Sequence, residues 1–314
     1  MATAVIGASG FIGSHVAKRL IDSGEEVLVV SRNAPTDPVR RQIWESADHR
    51  IITDISNGPL DLKGCSRVFN FAADMGGVGY FSRAQVAPYI ENSRITFKVL
   101  EMCSAQKVDR VFMASSACAY PTTLQSTEGM APLLSEQLLE TGPADQMYGR
   151  EKLMLCALAA NVDFDCRVGI LHTVYGDTVI GAEHRMKFPT SIAMKAIKAC
   201  QSGEIRIWGN GQQLRSYLWI DDAVDKIIRV MSGENPGPIN IGYQGAVSVL
   251  DVVAICCGYL NIQPTIHFES HQPSGVLSRD CSNEKFWNLY GRMEPTNTVV
   301  GYGRLVAQLL DRFS

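Results

Sequence analysis

Apolar residues in the first half of the chain follow two alternating rhythms. Short, nearly continuous runs at residues 2–6, 27–30, 50–53, 67–72, 110–114 and 164–169 predict strands. Between them, residues 11–23, 90–106 and 148–160 carry apolar positions at helical spacing, and Gly24 marks a stop for the first. The strands are apolar throughout rather than at every second residue. With helices between them, that predicts a parallel sheet covered on both faces, the α/β class. After about residue 170, Gly, Pro and polar residues cluster at 176–189, 208–213 and 235–238, around predicted helices at 189–202 and 220–231. The division this implies is a first lobe over residues 1–168 and a smaller, loop-rich lobe over 169–314. A segment near 220–245 is expected to return to the first lobe. No Pro/Ser/Gly linker separates the two, and no repeat is visible.

Composition narrows the classes. The 314 residues are 46% apolar and 19% charged, as in soluble globular proteins, and suffice for a core without staples. Net charge is −3, and the densest basic cluster is only Arg40-Arg41, which speaks against a nucleic-acid partner. No run of 18 apolar residues suggests a membrane span. The start of the chain enters an apolar run with no basic region before it, unlike a signal peptide. The nine cysteines are scattered, with no CxxC pair. They read as free thiols in a reducing cytoplasm, with no metal site.

Gly7-Ala8-Ser9-Gly10-Phe11-Ile12-Gly13 lies between a predicted strand and a predicted helix. Gly7, Gly10 and Gly13 permit a tight turn and close backbone approach. Phe11 and Ile12 open a helix whose free N–H groups suit the pyrophosphate of a dinucleotide. The second strand ends Val30-Ser31-Arg32-Asn33, without the acid that normally holds a ribose. Arg32 suits a 2′-phosphate, so the cofactor is NAD or NADP. Asp54 either accepts from the adenine amino group or closes a turn. Tyr148 and Lys152 stand at i and i+4 on one helical face. An ammonium there favours phenolate, and Tyr148 can take a hydroxyl proton while hydride leaves to the cofactor. Ser116, at the end of a predicted strand, can hydrogen-bond substrate or the tyrosine.

These pieces resemble the extended short-chain dehydrogenase/reductase family over essentially the whole chain. Further matches are Asn70-Phe71-Ala72-Ala73, Trp208-Gly209-Asn210-Gly211, Arg215-Ser216-Tyr217 and Ile220-Asp221-Asp222. The resemblance implies a Rossmann-like doubly wound parallel sheet, a cofactor contact at Ala72 and a nucleotide-sugar substrate. Within the family, the GDP-mannose 3,5-epimerase branch is similar at three segments. They are Ala72 to Gly79, Ala114-Ser115-Ser116-Ala117-Cys118-Ala119-Tyr120-Pro121 and Arg185-Met186-Lys187-Phe188-Pro189. That likeness implies a GDP-hexose oxidised transiently at C4, with C3 and C5 inverted by a Cys118/Lys187 acid–base pair. It also implies substrate contacts at Met75, Gly76, Gly77, Ser116 and Lys187, with Lys195, Arg215 and Arg279 on the diphosphate.

The chain departs from that branch at Ile170-Leu171-His172-Thr173, where Thr173 replaces a substrate-binding asparagine. Leu277 stands in place of a second arginine, and residues 181–184 differ. These departures bear on which sugar is taken. His172 and His184 are secondary candidates for contact, whereas His15, His49, His267 and His271 read as structural. The family implies a homodimer through the helices at 90–106 and 148–160. A start directly on the first strand, without the extension of the plant members, suggests a microbial or viral homologue. Two other readings stay open: an NADPH-dependent epimerase-reductase resembling GDP-L-fucose synthase, and a non-catalytic cofactor-binding regulatory protein.

Overall fold

The computed structural model describes residues 1–127, 132–176, 186–234, 237–273 and 275–313. The chain opens β1 (Ala2–Ile6), α1 (Phe11–Asp22), β2 (Val27–Ser31), α2 (Pro38–Ser46), β3 (His49–Ile52), β4 (Cys65–Asn70), α3 (Val78–Phe81), α4 (Val86–Ala105) and β5 (Arg110–Ser116). It continues β6 (Leu133–Leu134), α5 (Gln146–Ala159), β7 (Asp165–Leu171), β8 (Thr173–Tyr175), α6 (Phe188–Ser202), β9 (Glu204–Trp208), β10 (Leu214–Arg215), β11 (Tyr217–Trp219), α7 (Ile220–Ser232) and β12 (Ile239–Ile241). It ends β13 (Val247–Ser248), α8 (Val249–Leu260), β14 (Thr265–Glu269), β15 (Ser278–Cys281), α9 (Glu284–Tyr290) and α10 (Thr298–Phe313).

Seven strands form one parallel sheet in the order β12-β7-β5-β4-β1-β2-β3, the Rossmann-like sheet that the apolar runs imply. Successive residues of β1 feed opposite cores. Val5 joins Val16, Leu20, Phe69 and Ile227 on one face. Ala4 and Ile6 join Val68, Val99, Met113 and Leu155 on the other. Strand order reverses between β1 and β4, so the loops after these strands part and leave a crevice at their carboxyl ends. α4 begins at Val86 rather than at residue 90. Pro88 reads as a breaker, but it sits in the first turn, where no intrahelical N–H is needed. α2 has no counterpart in the apolar pattern. Its signal is the Asp37-Pro38 start, with the Asp37 carboxylate accepting from Arg40 N at 3.1 Å.

The later residues build three small sheets, β13-β10-β15-β6, β11-β8 and β14-β9, against α6, α8 and α10. β12 reaches back to pair with β7, and β6 leaves the first half to pair with β15. Asn240 on β12 locks this exchange and is fully buried. Its amide donates to Leu134 O (2.7 Å) and Ser282 O (3.1 Å), and its Oδ1 accepts from Tyr120 OH (2.9 Å). His172 Nε2 is 3.1 Å from the same Oδ1, which fixes the proton on Nε2. Among the described residues, no helix is long and apolar enough to cross a membrane.

Burial pushes the His172 imidazole down from 6.5 to about 3, the Asn240 hydrogen bond opposing. The unfolded chain therefore takes up a proton between pH 6.5 and 3 that the folded chain refuses. Stability from this group is complete above 6.5 and is lost as pH falls, by about 2 kcal/mol at pH 5. His172→Gln should flatten the loss of stability between pH 7 and 5 by that amount in urea unfolding. Equal losses in both proteins would show that His172 takes no part in it.

Candidate active site

The loop after β1 is a backbone cradle. Gly7 adopts φ +82°, a left-handed turn, and Gly7 N donates to Val30 O at 2.8 Å. A Cβ on Gly13 would stand 2.3 Å from Gly7 O, so only glycine lets the first turn of α1 approach the strand end. Gly10 caps α1 without a side chain, leaving the Phe11, Ile12 and Gly13 N–H groups at the helix mouth for an anion. Ala72 backs this loop: a Cβ on Gly7 would meet its nitrogen at 2.6 Å. The cradle thus fits a dinucleotide pyrophosphate.

Arg32 is exposed just past β2. Asp54 closes a turn, accepting from Ser56 N (3.1 Å) and Ser56 Oγ (2.8 Å), and the Ser56 hydrogen bond holds its carboxyl below the usual value. Arg40 on α2, which the sequence reading passed over, reaches back to Ser9 O at 3.4 Å. Its signal was the Arg40-Arg41 doublet.

The chemistry-bearing side chains converge where β5, α5 and the loop after β4 meet. Gly149 lets α5 lie against the turn after β5; a Cβ there would stand 2.1 Å from Cys118 O. Asp145 N donates to that same carbonyl at 2.9 Å. Tyr148 and Cys118 are thereby drawn to one pocket wall. Ser116 hydrogen-bonds the Tyr148 phenol, and Ser116 Oγ also accepts from Cys118 N at 3.3 Å. Phe81 stacks on the Tyr148 ring with centroids 4.6 Å apart.

Burial, then Cys118 and Glu151, push the Tyr148 phenol well above its ordinary value, with Ser116 and Arg279 opposing. Lys152 Nζ lies 5.6 Å above the Tyr148 ring, but its charge is paired at 3.0 Å with the Glu151 carboxylate. Glu151 is fully buried and also accepts from Thr96 Oγ1 at 3.1 Å. The spacing of tyrosine and lysine gave no hint of this intervening acid.

The glycine-rich loop closes the other wall. Asp74 is clamped to α4, its N donating to Asn92 Oδ1 at 2.6 Å and its O accepting from Asn92 Nδ2 at 3.1 Å. Tyr80 OH donates to Asp74 Oδ2 at 2.7 Å, and a Cβ on Gly76 would strike the Tyr80 ring. A Cβ on Gly77 would meet Met186 O at 2.7 Å, so Gly77 lies against the backbone of Met186 and Lys187. Lys187 immediately precedes α6 and keeps exposed surface; desolvation lowers its ammonium's pKa, and Cys118 opposes. His184 lies outside the described residues.

The cations expected at the diphosphate separate. Arg215 and Arg279 are register partners on β10 and β15. Arg215 Nη1 donates to Leu214 O at 2.8 Å, and burial, then Arg279, lowers it to about 10. Lys195 Nζ donates to Arg206 O at 2.7 Å. Arg279 instead turns towards Cys118, with Nη1 at 3.5 Å from Sγ. Thr173 heads β8 half-buried, and His172 behind it belongs to the Asn240 network. A separate cavity of about 340 Å³ behind α5 is lined by Cys156, Ala159, Val162, Phe164, Cys166 and Pro238; it gathers no charged group.

Ala in place of Gly normally stabilises a helix by up to about 1 kcal/mol. At Gly149 the sign should reverse, because the new Cβ must displace backbone. Gly149→Ala should destabilise by about 1–3 kcal/mol in denaturant unfolding. A stability equal to or above the parent would show that α5 is free to move off Cys118.

With this geometry in place, the comparisons with known proteins converge. The NAD dependent epimerase/dehydratase family matches residues 3–242. GDP-mannose 3,5-epimerase 1 of Oryza sativa subsp. japonica is 32% identical over 284 residues, 89% of this chain and 74% of that one. GDP-L-fucose synthase of Sinorhizobium fredii is 21% identical over 297 residues, 90% of this chain and 87% of that one. Among solved structures, MoeE5 in complex with UDP-glucose and NAD superposes with TM-score 0.80 at 27% identity, covering 100% of both chains. The chain belongs to the NAD dependent epimerase/dehydratase family of nucleotide-sugar enzymes.

Proposed function

We propose that this protein is a nucleotide-sugar epimerase that inverts C3 and C5 of a GDP-hexose, GDP-mannose giving GDP-L-galactose. The observation that carries the reading is the meeting of Tyr148, Cys118 and Lys187 on one cleft beside the glycine cradle. The 32% identity to a GDP-mannose 3,5-epimerase supports it, against 21% to a GDP-L-fucose synthase.

A bound nicotinamide dinucleotide supplies a hydride acceptor and donor for C4. Tyr148 takes the C4 hydroxyl proton and later returns it, with Ser116 holding the phenol and the sugar oxygen. The C4 ketone acidifies the hydrogens on C3 and C5. Cys118 removes a proton on one face and Lys187 delivers one on the other. Burial lowers the pKa of the Lys187 ammonium, which makes it a stronger proton donor than a free lysine. Met75, Gly76, Gly77 and Thr173 line the sugar site, and Arg215 with Lys195 faces the diphosphate.

The cofactor is held by Gly7, Gly10, Phe11, Ile12, Gly13 and Ala72, with Tyr148 and Lys152 on its nicotinamide half. NADP is the second cofactor reading, favoured by exposed Arg32 and by Arg40 over Ser9. Val86, Ile90 and Phe97 leave an exposed apolar stripe on α4, which supports a homodimer through α4 and α5. All nine cysteines are free, with Cys200 exposed, which supports a cytoplasmic setting.

GDP-mannose incubated with the purified protein in heavy water should yield new GDP-hexose signals by NMR, with deuterium at C3 and C5. Tyr148→Phe should lower inversion by about 10³-fold or more, through loss of hydride transfer. Cys118→Ser should lose deuterium incorporation by about 10²-fold while still reducing the bound cofactor. Wild-type deuteration in either variant removes that residue from its role. Stoichiometric consumption of NADPH would instead favour the epimerase-reductase. For the cofactor, Arg32→Ala should weaken NADP about tenfold in fluorescence titration and leave NAD within about twofold. Equal losses would mean that no phosphate sits at Arg32.

A further inference from the structure

Arg279 occupies a position expected to grip a diphosphate, yet its side chain is committed elsewhere. Its Nη2 pairs with Asp145 Oδ2 at 3.1 Å, and its Nε donates to Gln125 Oε1. Gln125 is fully buried, and its amide nitrogen donates to Tyr120 O (3.1 Å) and Pro121 O (3.0 Å). That leaves its oxygen no choice but to face Arg279. Asp145 is tied in turn to the Cys118 carbonyl through its own N–H, at 2.9 Å. Two arms of a rigid planar fork are therefore fixed, and the third is delivered to sulfur: Arg279 Nη1 lies 3.5 Å from Cys118 Sγ.

From this clamp we infer that Arg279 is a positioning residue for Cys118: its guanidinium is the standing counter-ion of a Cys118 thiolate, and it does not anchor the diphosphate. The inference rests on the reading of Cys118 as a proton-transfer group. A thiolate, not a thiol, removes a proton from carbon, and a fixed cation at hydrogen-bond distance favours that form. The direction of transfer follows. Cys118 enters as the base and leaves as a neutral thiol when it takes the C–H proton, its sulfur electron pair forming the new S–H bond. The C–H electron pair passes into the enolate of the C4 ketone. Lys187 enters as an ammonium, gives its proton to the opposite face and is left as an amine. Proton exchange with solvent restores both groups.

The surroundings agree with this assignment. Among the described residues, the charged groups facing Cys118 are Arg279 on β15, Arg215 on β10 and Lys187 ahead of α6; Tyr148 on α5 faces it as a phenol. Asp145, ahead of α5, is held by Arg279. Burial works against the charge on Arg279, but Cys118 and Asp145 outweigh it and raise the guanidinium further. The arginine keeps its charge beside the sulfur at any working pH.

The test reads the thiol itself and needs no sugar. Iodoacetamide alkylation of Cys118 is followed by peptide mass spectrometry across pH 5–10 in the wild type, Arg279→Gln and Arg279→Lys, so exposed Cys200 does not interfere. Arg279→Gln should slow Cys118 alkylation at pH 7 about tenfold. Arg279→Lys keeps the charge without the fork and should fall between the two, so the comparison survives if the Gln variant folds poorly. With GDP-mannose turnover as a second readout, kcat should drop while KM stays within about threefold. Alkylation unchanged in both variants overturns the inference, and a KM raised about tenfold beside it returns Arg279 to the diphosphate. Absence of turnover in the wild type would count against the sugar assignment alone, since the alkylation profile stands without it.

Discussion

The site depends on one close approach, that of α5 to the Cys118 carbonyl at Gly149. Any side chain at 149 would place a carbon 2.1 Å from that oxygen, inside the contact limit of any atom pair. Because glycine stands there, the helix can press on the turn after β5. Tyr148, one residue earlier, then faces Ser116 and Cys118. The same carbonyl accepts from Asp145 N, which sets the start of α5 and with it the carboxylate that holds Arg279. Tyr148, Cys118 and the Arg279–Asp145 pair are thus positioned by one backbone contact. The same groups on a loose loop would leave these distances to chance.

Around that contact the protein buries charge in compensated sets. Lys152 has Glu151, and Glu151 has Thr96. Arg279 has Asp145 and Gln125. Leaving any one of these partners alone in the interior would cost several kcal/mol, whereas the completed sets order the groups around them. The Lys152 charge is balanced by an adjacent acid, and burial raises the pKa of the Tyr148 phenol.

How much of this is legible in the sequence follows from how far apart the cooperating residues lie. The glycine cradle, the Tyr148–Lys152 spacing and the apolar strands are local patterns, and the sheet they imply is the sheet observed. Asp37 ahead of Pro38 was an equally local start signal for α2. The supporting shell has no local signature. Gln125 meets Arg279 across 154 residues, and Tyr120 meets Asn240 across 120. Glu151 sits inside the tyrosine–lysine motif, where its identity says nothing of its burial; only Thr96 on α4 reveals it. Arg279 illustrates the limit of position alone. Its segment places a cation near an expected anion, while the partners it meets in the fold, Asp145 and Gln125, lie outside that segment.

The exchanged strands add a further constraint. β12 belongs to the later residues but completes the large sheet, while β6 leaves the first half to pair with β15, the strand that carries Arg279. Asn240 bonds to groups on both sides of that exchange, from Leu134 to Ser282. The first and later parts of the chain are therefore woven together, and a rigid separation would have to break buried hydrogen bonds.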